Sequence, residues 1–439
     1  MSLPKTVVRS EYLTRIKVMI TRKTLPAWIA LCSFAAPAHG AINVPGADGS
    51  DGVLNITANT VIDLGQAPTG TWDQGNAANA GKGVYDAAKW AVVFKYSSVN
   101  VASGATVTFK NHDSRAPVVW LVSGNVTIAG TVNLDGQNAQ PPPLLANPGP
   151  GGFRGGAGSY ETNPAGGAGF GPGGGFQQNG NAGQGGAYGT ATSVATYGNP
   201  SLIPLIGGSG GSGDPEFVYS TPERLGGGGG GGGLLIATSG TVALTGEIVS
   251  KGGDGTNYTY INTGGGSGGG LRVVCDQLTG TGKLTANGGG GWQAGGLGRI
   301  RLERVTNSNS LTIVPDPSVV PLAASATALL WPPSDAPQVN VISIGGSAAP
   351  VDPRASFGSA GADVALPQTT STQAIIETTN VEQASQVQVR VTPRAGANAT
   401  VVNATVQSVV STSPLVVRWS ATLPVNVGYS GVQVKVVRP

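Results

Sequence analysis

The chain has 439 residues, enough for two or more domains, with 72 glycines, 30 prolines and a formal net charge of +3. Glycine and proline reach the level of low-complexity sequence, yet alternating runs of Val, Ile, Leu and Thr exclude a disordered tail. The stretch through Lys23 holds six of the 25 basic and one of the 22 acidic residues, which leaves 19 against 21, a net of −2, and no electrostatic footprint for nucleic acid or a membrane surface.

Residues 1–40 read as a secretory signal. In "ITRKTLPAWIALCSFAAPAHGA", Arg22 and Lys23 precede an apolar run from Leu25 to Ala36, and small residues allow cleavage after Ala38 or Gly40. Met19 is the only other methionine and an alternative start. Cys32 lies inside the apolar run behind Ile29-Ala30-Leu31, which disfavours lipidation, so Cys275 is the only mature cysteine and reads as a buried structural thiol. No later segment has about 20 continuous apolar residues, so no helical membrane span is expected after signal removal. The expected destination is the exterior or the cell surface.

Residues 41–91 are expected to cap the first coil of a repetitive region at 92–305, with Trp72 and Trp90 as core anchors. "GADGSDG" offers Asp48 and Asp51 as calcium ligands but lacks the further oxygens and terminal glutamate of an EF-hand loop. "GNAANAGKG" is not a phosphate loop: five residues separate Gly75 from Gly81, and Gly83 stands where Ser or Thr is needed. No other cofactor is expected.

From residue 92 to 305 the chain repeats itself. Val119–Gly136 "VWLVSGNVTIAGTVNLDG", Leu235–Gly252 "LIATSGTVALTGEIVSKG" and Leu271–Gly288 "LRVVCDQLTGTGKLTANG" align without gaps. Val126, Val242 and Leu278 coincide, as do Val132, Ile248 and Leu284. A degraded copy precedes them at Val92–Lys110, and "RIRLERV" opens a further one at Arg299. Period-2 alternation with glycine corners predicts a right-handed parallel β-solenoid, an antiparallel sheet being the alternative.

Insertions of about a hundred, about 18 and about 11 residues leave from the same corner, after Gly136, Gly252 and Gly288. They predict a glycine-rich wedge along one side. The first insertion spaces Phe153, Tyr160, Phe170, Phe176 and Tyr188 through glycine. Extended polyproline-II-like strands with aromatics at their margins are one reading; a loose loop is the other. Together "VVWLVSGNVTIAGTVNLDGQN", "GGGGGLLIATSGTVALTGEIVSKGG" and "GGGLRVVCDQLTGTGKLTANGGGG" resemble the glycine-rich secreted parallel β-helix surface proteins of bacteria, many without assigned activity. The resemblance implies an exported scaffold or binding surface and carries over no catalytic residue.

Residues 306–336 read as a proline-punctuated linker, and 337–439, with "SQVQVRVTP" and "LVVRWSATL", as an immunoglobulin-like β-sandwich around Trp419. Chemistry is sparse. "KNHDSRAP" gathers His112, Asp113 and Arg115 as a general-base cluster or a plain polar turn. Asp135, Lys251 and Asn287 stack at one corner if the repeat holds, either as sugar contacts or as turn residues. The expected role is structural or adhesive: the wedge binds a glycan, a surface polymer or a like molecule through exposed amides and its five aromatics. The rival is a polysaccharide-active β-helix lyase or hydrolase with a C-terminal binding module, using His112, Asp113, Arg115 and Asp135. An ice-binding face would want regular Thr or Asn ladders, which the aligned positions do not supply.

Overall fold

Each apolar run alternates, so each strand has one side to bury, and the chain buries it by stacking strand on strand. The computed structural model describes residues 41–75, 81–159, 166–178, 182–214, 225–258, 261–356, 361–394, 396 and 398–439. Among them the protein is all-β, with one 3-10 turn at Leu64–Gln66. The expected signal at 1–40 lies outside the described residues.

Two sheets, parallel except where Val84–Asp86 pairs antiparallel with Ala91–Val93 in the first, are built by successive passes of the chain. The first takes Gly52–Ile56, Ala91–Val101, the pair Val118–Val122 and Val126–Ile128, the pair Gly233–Thr238 and Thr241–Leu244, then Gly270–Gly280, Arg299–Asn309 and Ser318–Pro321. The second takes Thr60–Asp63, Thr106–Lys110, Thr131–Asn133, Glu247–Val249, Lys283–Thr285 and Thr312–Val314. Their apolar sides meet in one core. Phe94, Trp120, Ile236, Val273 and Leu302 form one ladder through it, and Val107, Val132, Ile248, Leu284 and Ile313 another. Each buried rung of Leu, Ile or Phe contributes about 1.5–3 kcal/mol.

The register corrects the gapless alignment in one place. Leu234, not Leu235, lies opposite Leu271, while Leu235 faces Arg272. The alignment is restored at Thr241 opposite Gln277, because the turn before Thr241 is one residue longer than its counterpart. A one-residue shift exchanges sheet faces, so Leu271, Val273 and Cys275 enter the core and Arg272 the opposite side. There Arg272 is buried, paired with Glu303 at 2.9 Å and donating to the Leu329 and Leu330 carbonyls. Burial pushes the Cys275 thiol up to about 12, as befits a structural cysteine.

The segments read as a cap and as a linker both contribute strands. The expected cap at 41–91 gives a parallel strand to each sheet, and the expected linker at 306–336 gives Thr312–Val314 and Ser318–Pro321. The rest of that linker returns along the stack to bond Asn43 through Ala326 and Ala328. Trp90 packs on the core as expected, whereas Trp72 tilts against Trp331 at 5.4 Å on the outer side. Beyond it, two antiparallel sheets share one apolar core that includes Ile376, Val389, Val417 and Trp419. The Trp419 indole donates to Thr378 Oγ1 at 2.9 Å.

The glycine insertions form a hydrogen-bonded lattice. In the run ending at Gly233, N–H groups of Gly227, Gly230 and Gly233 donate to carbonyls of Gly156, Phe153 and Pro150. Those of Gly228 and Gly231 donate to Gly264 and Ser267, and those of Gly229 and Gly232 to Gln137 and Leu134. Every third residue thus addresses the same neighbour, the periodicity of a three-residue-per-turn extended helix without internal bonds. Its carbonyls accept in turn from Gly208, Gly211, Gly253, Gly149 and Gly270. Packing this close leaves no room for a β-carbon: one on Gly266 would lie 2.0 Å from the Gly229 oxygen, and one on Gly264 1.9 Å from that of Gln184. Serine enters the lattice where its hydroxyl adds a second donor to a carbonyl, as Ser250 Oγ does at 2.7 Å for the Gly232 carbonyl that also accepts from Gly270 N–H.

Gly266→Ala is expected to cost about 3 kcal/mol or more, since backbone rather than a yielding side chain blocks it. Gly75→Ala, with nothing within 4 Å of the added carbon, should stay within about 0.5 kcal/mol of the parent. Denaturation midpoints of the two variants measure the difference.

Candidate functional site

Where the first insertion leaves the stack, a polar cleft of about 580 Å³ opens beside the second sheet. Four pieces of chain wall it: the strand end Thr108–Lys110 with the turn through Arg115, the corner Asn133–Gln137, Asn147–Arg154 of the insertion, and Ser356 from far along the chain. Main-chain bonds lash the first three together. Arg115 N–H donates to the His112 carbonyl and the Arg115 carbonyl accepts from Gly151, both at 2.8 Å. Arg115 holds a left-handed backbone, φ 55°, a strained conformation for a residue with a β-carbon.

The four residues of the enzyme alternative, His112, Asp113, Arg115 and Asp135, all line this cleft. Their states differ. His112 is buried and stacked on Tyr85 at 4.2 Å. Its Nδ1 accepts the Ser114 N–H at 3.1 Å and contacts the Ser114 hydroxyl at 2.8 Å, so Nε2 carries the proton and no ring lone pair remains for a substrate. Burial, helped by the Arg354 charge, lowers the His112 pKa. Asp113 is exposed. Asp135 accepts the Lys251 N–H at 2.6 Å; burial raises its pKa, a rise to which Glu247 and Asp254 add.

Three amides on the cleft wall are each fixed by one half. Asn133 Oδ1 accepts from Asp135 N–H, Gln137 Oε1 from Asn147 N–H, and Asn111 Nδ2 donates to the Pro148 carbonyl. Asn133 Nδ2, Gln137 Nε2 and Asn111 Oδ1 make no bond to described residues, and Asn111 Oδ1 is buried. Such groups present donors and acceptors in fixed positions at little entropic cost. None of the three was a sequence candidate, because an isolated Asn or Gln near a turn looks like turn chemistry. Arg154 was also missed, although it is the only cation between Arg115 and Arg224. Asp352 and Arg354 come from far along the chain: Tyr85 hydroxyl donates to Asp352 at 2.7 Å, and Arg354 lies over the Tyr85 ring at 5.0 Å. They fix the ring on which His112 stacks.

The other candidates are used internally. Tyr188 and Phe170 are buried and offer no sugar-binding face, and Phe153 is half-buried against the cluster of Leu145, Ala157 and Phe170. Phe176 is half-buried beneath the Arg390 guanidinium at 4.4 Å. Tyr160 lies outside the described residues. The lattice amides bond one another, which corrects the expectation of a wedge with open amides; Gly171, Gln177 and the Gly169 carbonyl bond the C-terminal region through Gln433, Asn398 and Arg390. Of the two calcium candidates, Asp48 pairs with the buried Lys95 ammonium at 3.0 Å, and Asp51 accepts from the Lys95 and Gly81 N–H groups. Among the described residues no three His, Cys, Asp or Glu side chains are placed to share a metal, and no helix is long and apolar enough to cross a membrane. Asp135, Lys251 and Asn287 do adjoin at one corner, with Gly136 and Gly252 N–H groups donating to the Lys251 and Asn287 carbonyls. Comparison with protein-family models, curated proteins and solved structures finds no match.

Because the folded His112 pKa lies below the free value, the unfolded chain binds the proton first. This residue's contribution is therefore full above about pH 6.5 and falls as pH drops toward the folded pKa. Denaturation at pH 7.5 and pH 5 should show a smaller acid loss for His112→Asn than for the parent; an equal loss would reject the assignment.

Proposed function

We propose that the chain is an exported surface or matrix protein of structural or adhesive type that binds a glycan in the cleft beside its glycine lattice. In this reading the parallel stack is a right-handed β-solenoid, residues 1–40 direct export, and the C-terminal sheets form an immunoglobulin-like sandwich that covers part of the lattice. The three half-bonded amides carry the proposal: a polyhydroxylated ligand needs both donors and acceptors, and Asn133, Gln137 and Asn111 offer both from rigid backbone. The stack keeps the cleft walls in place with no ligand present, so little binding energy is lost to ordering.

A polysaccharide-active enzyme is the second reading, favoured by the convergence of His112, Asp113, Arg115 and Asp135 and by the raised Asp135 carboxyl, a state suited to a general acid. Against it, His112 has no free lone pair and Asp135 is bonded to Lys251 N–H.

A glycan array followed by incubation with each retained polysaccharide separates the two. The expected result is retention without product release, and a fall of about fivefold or more in affinity for Asn133→Ala with Gln137→Ala, one lost hydrogen bond being worth about 1 kcal/mol. Product release abolished by Asp135→Asn would replace binder with enzyme.

A further inference from the structure

We infer that one end of the cleft is an anion subsite formed by Arg115 and Arg154, and that the glycan it takes carries carboxylate or sulfate groups. The inference rests on the cleft being the binding site.

Neither guanidinium makes a hydrogen bond or ion pair with the described residues, although both line a partly enclosed space. Arg154 Nε is buried without a partner. Burial, then the nearby charges of Arg115 and Arg394, lower the Arg154 pKa to about 10, with no carboxylate opposing them. Arg115 feels Asp363 and Asp113 without contacting either. The remaining cation of the cleft, Lys110, is satisfied by Asp63 at 2.9 Å.

The backbone beneath both arginines is fixed. The Arg154 carbonyl accepts from Phe170 N–H at 2.9 Å inside the lattice, and Arg115 is tied to His112 and Gly151. A desolvated cation with unused N–H groups is costly unless an anion completes it. Carboxylate and sulfate oxygens match the planar guanidinium fork, and two forks on rigid supports select for them. Asp113 and Asp135 also line the cleft and disfavour an anion away from the two guanidinium groups, so the acidic group of the occupant is held at the arginines and its hydroxyls at the amides.

Calorimetric titration of the whole protein with oligogalacturonate, a sulfated heparin oligosaccharide and neutral maltoheptaose tests this. Binding of one or both anionic probes is expected at least tenfold tighter than that of maltoheptaose, weakening as NaCl rises; which of the two wins identifies carboxylate or sulfate. Arg154→Gln and, separately, Arg115→Gln should each reduce anionic binding by about tenfold or more, a larger factor than either takes from maltoheptaose binding, the loss of a charged hydrogen bond. The second variant stands in if the first fails a circular-dichroism check of folding. Equal binding of all three probes, lost in the Asn133→Ala with Gln137→Ala protein, would overturn the anion subsite and keep the cleft as a glycan site. A preference for anions that survives both arginine changes would likewise overturn it. Absence of binding by all three probes would overturn the subsite together with the cleft.

Discussion

The structure depends on one constraint: backbone must approach backbone closely enough for amide and carbonyl to bond in three directions. A strand in a sheet bonds to two neighbours, whereas the glycine segments bond to more because successive residues point to different ones. Removing the β-carbon at nearly every position makes this possible, and it compensates for the large entropy that glycine loses on ordering. The insertions are then not appendages to the parallel stack. They form a second layer whose cohesion comes from hydrogen bonds, beside a first layer whose cohesion comes from apolar ladders.

The cleft arises at the junction of those layers. At Gly136 the chain leaves a corner of the stack, and at Gly149 to Gly155 it is already bonded into the lattice. Polar side chains of the corner, the 111–115 turn and the start of the insertion meet there because neither layer can absorb them. Asn111 bonds across the junction to Pro148, and Gln137 to Asn147, so the side chains that shape the cleft also hold it open. Tyr85, Asp352 and Arg354 then fix the floor from behind through His112.

Much of the parallel stacking was legible because equivalent residues recur at constant spacing: Val132, Ile248 and Leu284 align in sequence and pair in space. The single slip at Leu271 was not, since a turn shortened by one residue leaves the apolar pattern looking intact. Proline-rich 306–336 looked like a linker because Pro315 and Pro317 interrupt the alternation, yet Thr312–Val314 and Ser318–Pro321 on either side still pair. The aromatic spacing in the insertion was visible, but not its direction; in a lattice without side chains the few large rings fill edges and corners, as Tyr188 does against Tyr197. His112, Asp113, Arg115 and Asp135 were separately visible as chemistry. Their meeting, and the entry of Arg154 and the three amides, depends on bonds between segments with no shared motif.

The lattice also bears on the order in which the molecule assembles. Gly229 bonds to Gln137 and Gly228 to Gly264, partners brought alongside by no local turn. Polyglycine alone has no apolar side to collapse upon, so the parallel ladders must first bring the segments into register, and such non-local topologies fold slowly. The same arrangement acts in reverse once complete. An inner segment cannot peel away without breaking bonds to several neighbours at once, which should make disassembly slow and leave lifetime, rather than equilibrium stability, as the quantity that governs how long the fold persists.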